Sequence, residues 1–331
     1  MRIHEIRLRN FRAFEELELH LEPQLTVLIG RNGAGKTTVL EGLAVALGAW
    51  LSGFKGIHED YAIPRSAAHL RTREHGGIPS VEAWMAWREE DRVQRLARAA
   101  EEGRPLTEVR SPELEAVSAA ASGCLEGARR IYYSTNHQEM RVDFEDGPSI
   151  PFHDLSDGQR TLIAVAADIA WRATQLNPHL GAEAPTKATG VVLIDEVDLH
   201  LHPAWQRRVL EDLTRVFPGI QFVVTTHSPQ VMSTAPPGSV RLIDSAHQVH
   251  RVERTTGKDT NSILEDILGV PARPREWQEK LEDLARRIED GKLAEAKVLL
   301  AEFAGWLGED DTQVVAAQWE LSMAENADAS D

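Results

Sequence analysis

Near the start of the chain Leu17, Leu19 and Leu21 alternate with Glu16, Glu18 and His20, the two-residue period of a half-buried strand. Residues 2 to 29 read as three short strands, the third being the apolar run Leu25-Thr26-Val27-Leu28-Ile29. The period then changes. Val39, Leu40, Leu43 and Leu47 fall on one face of a helix that starts after a cluster of glycines. After an irregular stretch through Tyr61, Pro64 and Arg65, the Ala-, Glu- and Arg-rich sequence from Ser80 to about Ala128 predicts helix, with Trp84 and Trp87 on one face as core or cover. Arg129 to Tyr133 and Met140 to Phe144 return to strand, followed by Asp146-Gly147 as a turn signal. A long helix comes next, burying Leu162, Val165, Ala166 and Ile169. It is followed by the apolar strand Val191 to Ile194, a helix from Pro203 with Val209, Leu210, Leu213 and Val216 inward, and the strand Ile220 to Val224. Beyond Val240 a small strand pair leads to helices expected at about 261–268, 274–289, 293–307 and 312–324, punctuated by Gly269-Val270-Pro271 and Gly308, with the last residues frayed.

Strands alternating with helices predict an α/β fold. The 331 residues allow one large domain with an appendage, and we expect a head over 1–255, carrying a helical insert at about 66–128, and a helical C-terminal extension over 256–331. The insert shows no sustained heptad repeat, which excludes a long coiled-coil arm there.

Charge and cysteine content narrow the function classes. The formal charge is −16, which argues against a chain that coats nucleic acid. From Asn261 to Asp331 there are 17 acidic and 7 basic residues, so −10 resides in the tail and only −6 in the rest. A local basic groove on the head remains compatible with this distribution. The opening residues have no apolar core of signal-peptide type, Asp168 interrupts the most apolar helix, and the single cysteine, Cys124, suits a reducing compartment. The expectation is a cytoplasmic protein outside the membrane.

The chemistry concentrates in four places. Gly30-Arg31-Asn32-Gly33-Ala34-Gly35-Lys36-Thr37-Thr38 fits G-x-x-x-x-G-K-[ST] between a strand and a helix. Its glycines let main-chain N–H groups turn inward, Lys36 neutralises β- and γ-phosphates, and the Thr37 hydroxyl can ligate Mg²⁺. The sequence Leu155-Ser156-Asp157-Gly158-Gln159 precedes a helix, where Ser156 and Gly158 either cap that helix or bind an anion. Asp195 and Glu196 end an apolar strand, placed to hold the Mg²⁺ water shell and to orient or deprotonate an attacking water. His227, in Thr225-Thr226-His227-Ser228, stands at the end of the next strand, where it can report a γ-phosphate or serve as a satisfied polar residue. His200 and His202, two apart in a loop with no third ligand nearby, do not make a zinc site. Phe11 and Arg12 read more simply as an apolar strand end beside a solvated arginine than as nucleotide contacts.

In this order the four segments resemble the Walker A, signature, Walker B and switch-histidine motifs of ABC-type ATPases. Asn10-Phe11-Arg12 and the run Leu193 to Pro203 look like the RecF/OLD-related branch. Asp154 to Leu180 and the tail from Asn261 to Asp311 are similar to AAA-family ATP-binding proteins described as involved in virulence and to PtuA-like anti-phage ATPases. The resemblance covers most of the chain outside the insert. It implies an ABC-type P-loop ATPase head with an antiparallel β-subdomain, using ATP and Mg²⁺.

The resemblance also implies a homodimer with composite ATP sites, Ser156 and Gly158 of one protomer closing on the γ-phosphate held by Lys36 of the other. The anion-binding role is then preferred for Ser156. Of Gln94 and Gln138, the latter better suits the family's Q-loop glutamine. The helical tail lacks the carboxylate-bearing strands of a Toprim nuclease. The reading is therefore an ATPase switch whose ATP-bound dimer regulates a partner effector, such as an HNH nuclease, in anti-phage defence. The alternative is a RecF-like ATPase in repair or recombination that holds DNA itself. A transporter energy subunit is disfavoured by the RecF-like opening.

Overall fold

The computed structural model describes residues 2–51, 112–134, 136–271 and 273–328. Gln94, Trp84, Trp87 and most of the proposed insert lie outside them. The chain divides into two compact units, Met1–Ile263 and Leu264–Asp331.

Among the described residues, the first unit contains three sheets. Strands β1 (Glu5–Phe11) and β2 (Phe14–His20) form an antiparallel hairpin with Leu8 opposite Leu17 and Ile6 opposite Leu19. The alternation seen in the sequence is realised, because Leu17 and Leu19 are buried while Glu16, Glu18 and His20 are exposed. These side chains pack with Leu28 and with Val39, Leu40 and Leu43 of helix α1 (Lys36–Leu51). The hairpin thus covers the helix that begins at the phosphate loop.

The main sheet has the order β10-β9-β3-β8-β7, built from β3 (Leu25–Gly30), β7 (Gly190–Ile194), β8 (Ile220–Thr225), β9 (Val240–Ile243) and β10 (Val249–Val252). β3 runs parallel to β8 and β9, β8 runs parallel to β7, and only β10 is antiparallel. Parallel pairing places the C-terminal ends of β3, β8 and β7 side by side, where open α/β sheets put their ligands. β3 and β8 are buried along their length, as continuous apolar runs predict, whereas every residue of β7 is only half-buried. β7 is the edge strand among the described residues, which explains why its apolar sequence is less covered than expected.

A third, antiparallel sheet joins β4 (Ala128–Ser134), β5 (Glu139–Phe144) and β6 (Ile150–Pro151). Helix α2 (Pro112–Gly123) packs on β4 and on α3 (Asp157–Leu176), the long apolar helix. The helix expected from Pro203 is divided into α5 (Pro203–Gln206) and α6 (Val209–Val216). Arg207 and Arg208 interrupt it, the first bonded to Gln230 and the second paired with Glu126 and Asp212. Ala184–Lys187 and Pro229–Thr234 add the short helices α4 and α7.

Helix α8 (Thr260–Asp266) begins in the first unit and ends in the second. The second unit is otherwise a three-helix cluster of α9 (Arg275–Glu289), α10 (Leu293–Leu307) and α11 (Thr312–Asp328). Leu284, Ala296, Leu300, Phe303, Val314, Ala317 and Leu321 form its core. Gly308, at φ +97°, ends α10, and Asp311 accepts two bonds from Arg273 at 2.9 and 2.8 Å. Among the described residues, no helix is long and apolar enough to cross a membrane.

Candidate functional site

Gly30 closes β3 with φ +148°, and a Cβ placed there would stand 2.4 Å from the Ile243 carbonyl oxygen of β9. Gly35 has φ +98°, and a Cβ there would meet the Phe14 ring at 2.4 Å. Glycine at these two positions is required by both conformation and space. Gly33, also at positive φ, has nothing within 4 Å of such an atom, so this side of the loop is open. Asn32 is exposed there and Ala34 is buried, while Thr37 and Thr38 begin α1.

Lys36 is 7% exposed, and its ammonium donates to the carbonyl oxygens of Gly30 at 3.0 Å and Arg31 at 3.2 Å. Burial lowers its pKa, and Asp195, Glu196 and Asp198 act in the opposite direction. The Thr37 hydroxyl donates to Asp195 Oδ2 at 3.0 Å, joining the loop to the end of β7. A hydroxyl and a carboxylate converging beside a phosphate loop are the hard oxygen donors that Mg²⁺ takes, with waters and phosphate oxygens completing its shell.

β8 holds the two carboxylates in place. Thr225 Oγ1 donates to Asp195 Oδ1 at 2.6 Å and accepts from the Glu196 N–H at 2.7 Å. Thr226 Oγ1 donates to Asp198 Oδ1 at 2.6 Å. Glu196 has φ +53°, an uncommon conformation for a side chain of its kind, and these bonds hold it there. His227 is exposed at the same edge. Its pKa lies below the usual value, first through desolvation and then through Lys36, while Asp198, Glu196 and Asp195 oppose the shift. The predicted residues Lys36, Thr37, Asp195, Glu196 and His227 therefore converge on one place.

The segment from Leu155 to Gln159 shows its local role directly. Ser156 caps α3: its Oγ accepts from the Gln159 N–H at 3.3 Å, and Gln159 Oε1 accepts from the Ser156 N–H at 3.0 Å. Although the family resemblance favours the anion-binding role, capping is the role Ser156 fills within a single chain. Its side chain remains exposed. Gly158 is buried, and a Cβ there would stand 2.8 Å from the His200 carbonyl oxygen. The start of α3 therefore rests on the loop after β7. His202 in that loop is the N-cap of α5, its Nδ1 accepting from the Ala204 N–H at 3.3 Å.

Gln138 sits on the exposed turn between β4 and β5 with φ +55°, in the three-stranded sheet, and no hydrogen bond joins it to Lys36, Thr37, Asp195 or Glu196 among the described residues. Phe11 is half-buried against the hairpin core, as the simpler reading expected. Arg12 is more than a solvated cation, since it pairs with the buried Glu41 of α1.

Three features escaped the sequence reading. Thr225 and Thr226 were visible only as a strand end, yet they orient Asp195, Glu196 and Asp198. Gln206 links the loop after β7 to the residue after His227: its Nε2 donates to Leu201 O at 3.0 Å, and its Oε1 accepts from Ser228 Oγ at 2.7 Å. His247, in the turn between β9 and β10, places Nδ1 3.1 Å from the Ala34 carbonyl oxygen and stacks edge-on against Phe14.

Comparison with known proteins finds two family matches and several similar chains. The family described as "AAA domain, putative AbiEii toxin, Type IV TA system" matches residues 82–233, and a second "AAA domain" family matches residues 5–76. The Retron Ec83 probable ATPase of Escherichia coli is 34% identical over 217 residues, 64% of this chain and 40% of that protein. The Septu protein PtuA of Bacillus mycoides (strain KBAB4) is 41% identical over 107 residues, 32% of this chain and 14% of that one. The DNA replication and repair protein RecF of Salinibacter ruber (strain DSM 13855 / M31) is 38% identical over 106 residues, 32% of this chain and 23% of that one. The chain thus spans less than half the length of these relatives. Its homologues include retron ATPases, Septu PtuA and RecF, in keeping with the RecF/OLD-related branch of ATPases.

Proposed function

We propose that this chain is a Mg²⁺-dependent ATPase switch whose ATP-bound homodimer regulates a partner effector, a nuclease, in anti-phage defence. The observation that carries the catalytic part is the 3.0 Å bond from Thr37 to Asp195, which unites the phosphate loop with a carboxylate strand end 158 residues away. Lys36 and the loop N–H groups bind the phosphates. Thr37 and Asp195 would hold Mg²⁺, which would supply neutralisation of phosphate charge there. Glu196 orients and deprotonates the attacking water, and neutral His227 contacts the γ-phosphate end. Ser156 and Gly158 complete the site of a second protomer, and ATP is thereby the condition for dimerisation. The retron and Septu relatives support the defence setting.

The reading is tested by sedimentation velocity with ATP, ADP and no nucleotide, alongside phosphate release. ATP-dependent dimers that Glu196→Gln traps and Lys36→Ala abolishes are expected, and a chain that remains monomeric with ATP and Mg²⁺ refutes the switch. Coexpression with the neighbouring open reading frame, followed by a phage challenge, tests the effector. The RecF match favours a second reading, in which the dimer itself holds DNA. That reading requires salt-dependent DNA affinity that appears with ATP and without a partner protein.

A further inference from the structure

Helix α11 is apolar on two sides. Val314, Ala317 and Leu321 face the core of the second unit, and Val315, Trp319 and Met323, at i, i+4 and i+8, form a separate stripe. The members of this stripe are 48%, 67% and 52% exposed. A core-packing helix has no use for a second apolar face, and a large exposed aromatic at the centre of such a stripe is the kind of anchor that dominates protein–protein contacts.

The charge of this part of the chain selects what covers the stripe. From Val298 to Asp331 the sequence holds eight carboxylates and not one Lys, Arg or His. Asp311 and Glu325 are matched inside the unit by Arg273 and Lys297. Among the described residues no cation pairs with Glu302, Glu309, Asp310 or Glu320. Two copies of this surface would bring like charges together, whereas a basic segment would neutralise them.

We infer that the α11 stripe is a docking ridge for a partner protein's amphipathic helix, one that sets Lys or Arg residues beside an apolar face. Trp319 enters the partner's apolar face, Val315 and Met323 flank it, and carboxylates of residues 298–331, Glu320 of α11 among them, pair with the cations. No residue of the nucleotide site takes part, so the inference stands independently of turnover there.

The test uses the full chain and a labelled synthetic Leu/Lys amphipathic peptide about five turns long, with a Leu/Glu peptide of the same pattern as control. Fluorescence anisotropy is expected to show binding of the Lys peptide alone, weakened at least about ten-fold by Trp319→Ala and also weakened by Met323→Ser and by added salt. Circular dichroism melts of both variants confirm that the fold is kept. Equal affinity of the parent and Trp319→Ala for the Lys peptide overturns the inference, as does equal binding of the two peptides. Self-association that Trp319→Ala abolishes, without peptide binding, also overturns it and assigns the ridge to a second copy.

Discussion

His247 Nδ1 and the carbonyl oxygen of Ala34 lie 3.1 Å apart, so the turn between β9 and β10 holds the phosphate loop from outside. A carbonyl oxygen only accepts, so Nδ1 carries the proton in this bond. Asp244 fixes the turn by accepting from the Ala246 and Gln248 N–H groups, both at 2.9 Å. Replacing His247 with Ala removes about 1 kcal/mol of loop preorganisation and is expected to weaken ATP binding roughly five-fold. Gln, which retains a donor, should recover part of the loss. Calorimetric titration with a non-hydrolysable analogue checks this, and an unchanged Kd for His247→Ala refutes the role.

Lys36→Ala and Glu196→Gln separate binding from chemistry. The first removes the buried ammonium beside Gly30 and is expected to abolish nucleotide binding. The second keeps the shape at Glu196 but removes its basicity, so binding should persist while kcat falls by a factor of about 10² to 10⁴. Single-turnover hydrolysis by Glu196→Gln at the parent rate would assign the water-orienting role elsewhere.

Ser156→Arg acts on two levels. Losing the cap on α3 costs about 1 kcal/mol of stability, readable in urea melts. The added bulk and charge at an exposed position should leave nucleotide affinity intact and prevent ATP-dependent dimers. Ser156→Asp preserves the cap, so a dimerisation defect there without a stability loss would separate the two roles. ATPase activity of Ser156→Arg equal to the parent's at dilutions where no dimer exists argues against a composite site.

The His227 ring should titrate below pH ~6.5 in the nucleotide-free protein, because partial desolvation and Lys36 disfavour its charged form. Between that lowered pKa and the unfolded value the unfolded chain binds more protons, so this group's contribution to stability is complete above about pH 6.5 and is lost as pH falls. Lys36→Met removes one cause and is expected to raise the midpoint, followed by NMR of the imidazole Cε1 proton. A midpoint that stays put in Lys36→Met would mean that the lysine exerts no field on the ring.

Much of the site was legible because its parts are local. A glycine pattern between strand and helix, and carboxylates at the end of an apolar strand, each occupy one short segment. Parallel pairing of β3, β8 and β7 then brings those segments together, and the alternation of Leu17 and Leu19 with Glu16, Glu18 and His20 marks the buried side of β2. What was not legible depends on long-range contact. Nothing near His247 marks it as a partner of Ala34, because 213 residues separate them. Thr225 and Thr226 are ordinary strand residues until β7 lies beside them. The sequence from Pro203 to Val216 carries a helical pattern throughout, and only the contacts of Gln206, Arg207 and Arg208 reveal the break. Ser156 suits both a cap and an anion site, and its chemistry alone does not separate the two.

The left-handed backbone at Glu196 also bears on how this protein can change over generations. Glycine or asparagine would adopt φ +53° with less strain, relieving roughly 1 kcal/mol or more, yet neither supplies a carboxylate. A population selected for heat resistance alone should therefore drift toward Gly or Asn at position 196 and lose turnover as it does so. Under the proposed role of Glu196, only selection for hydrolysis would hold glutamate at this position.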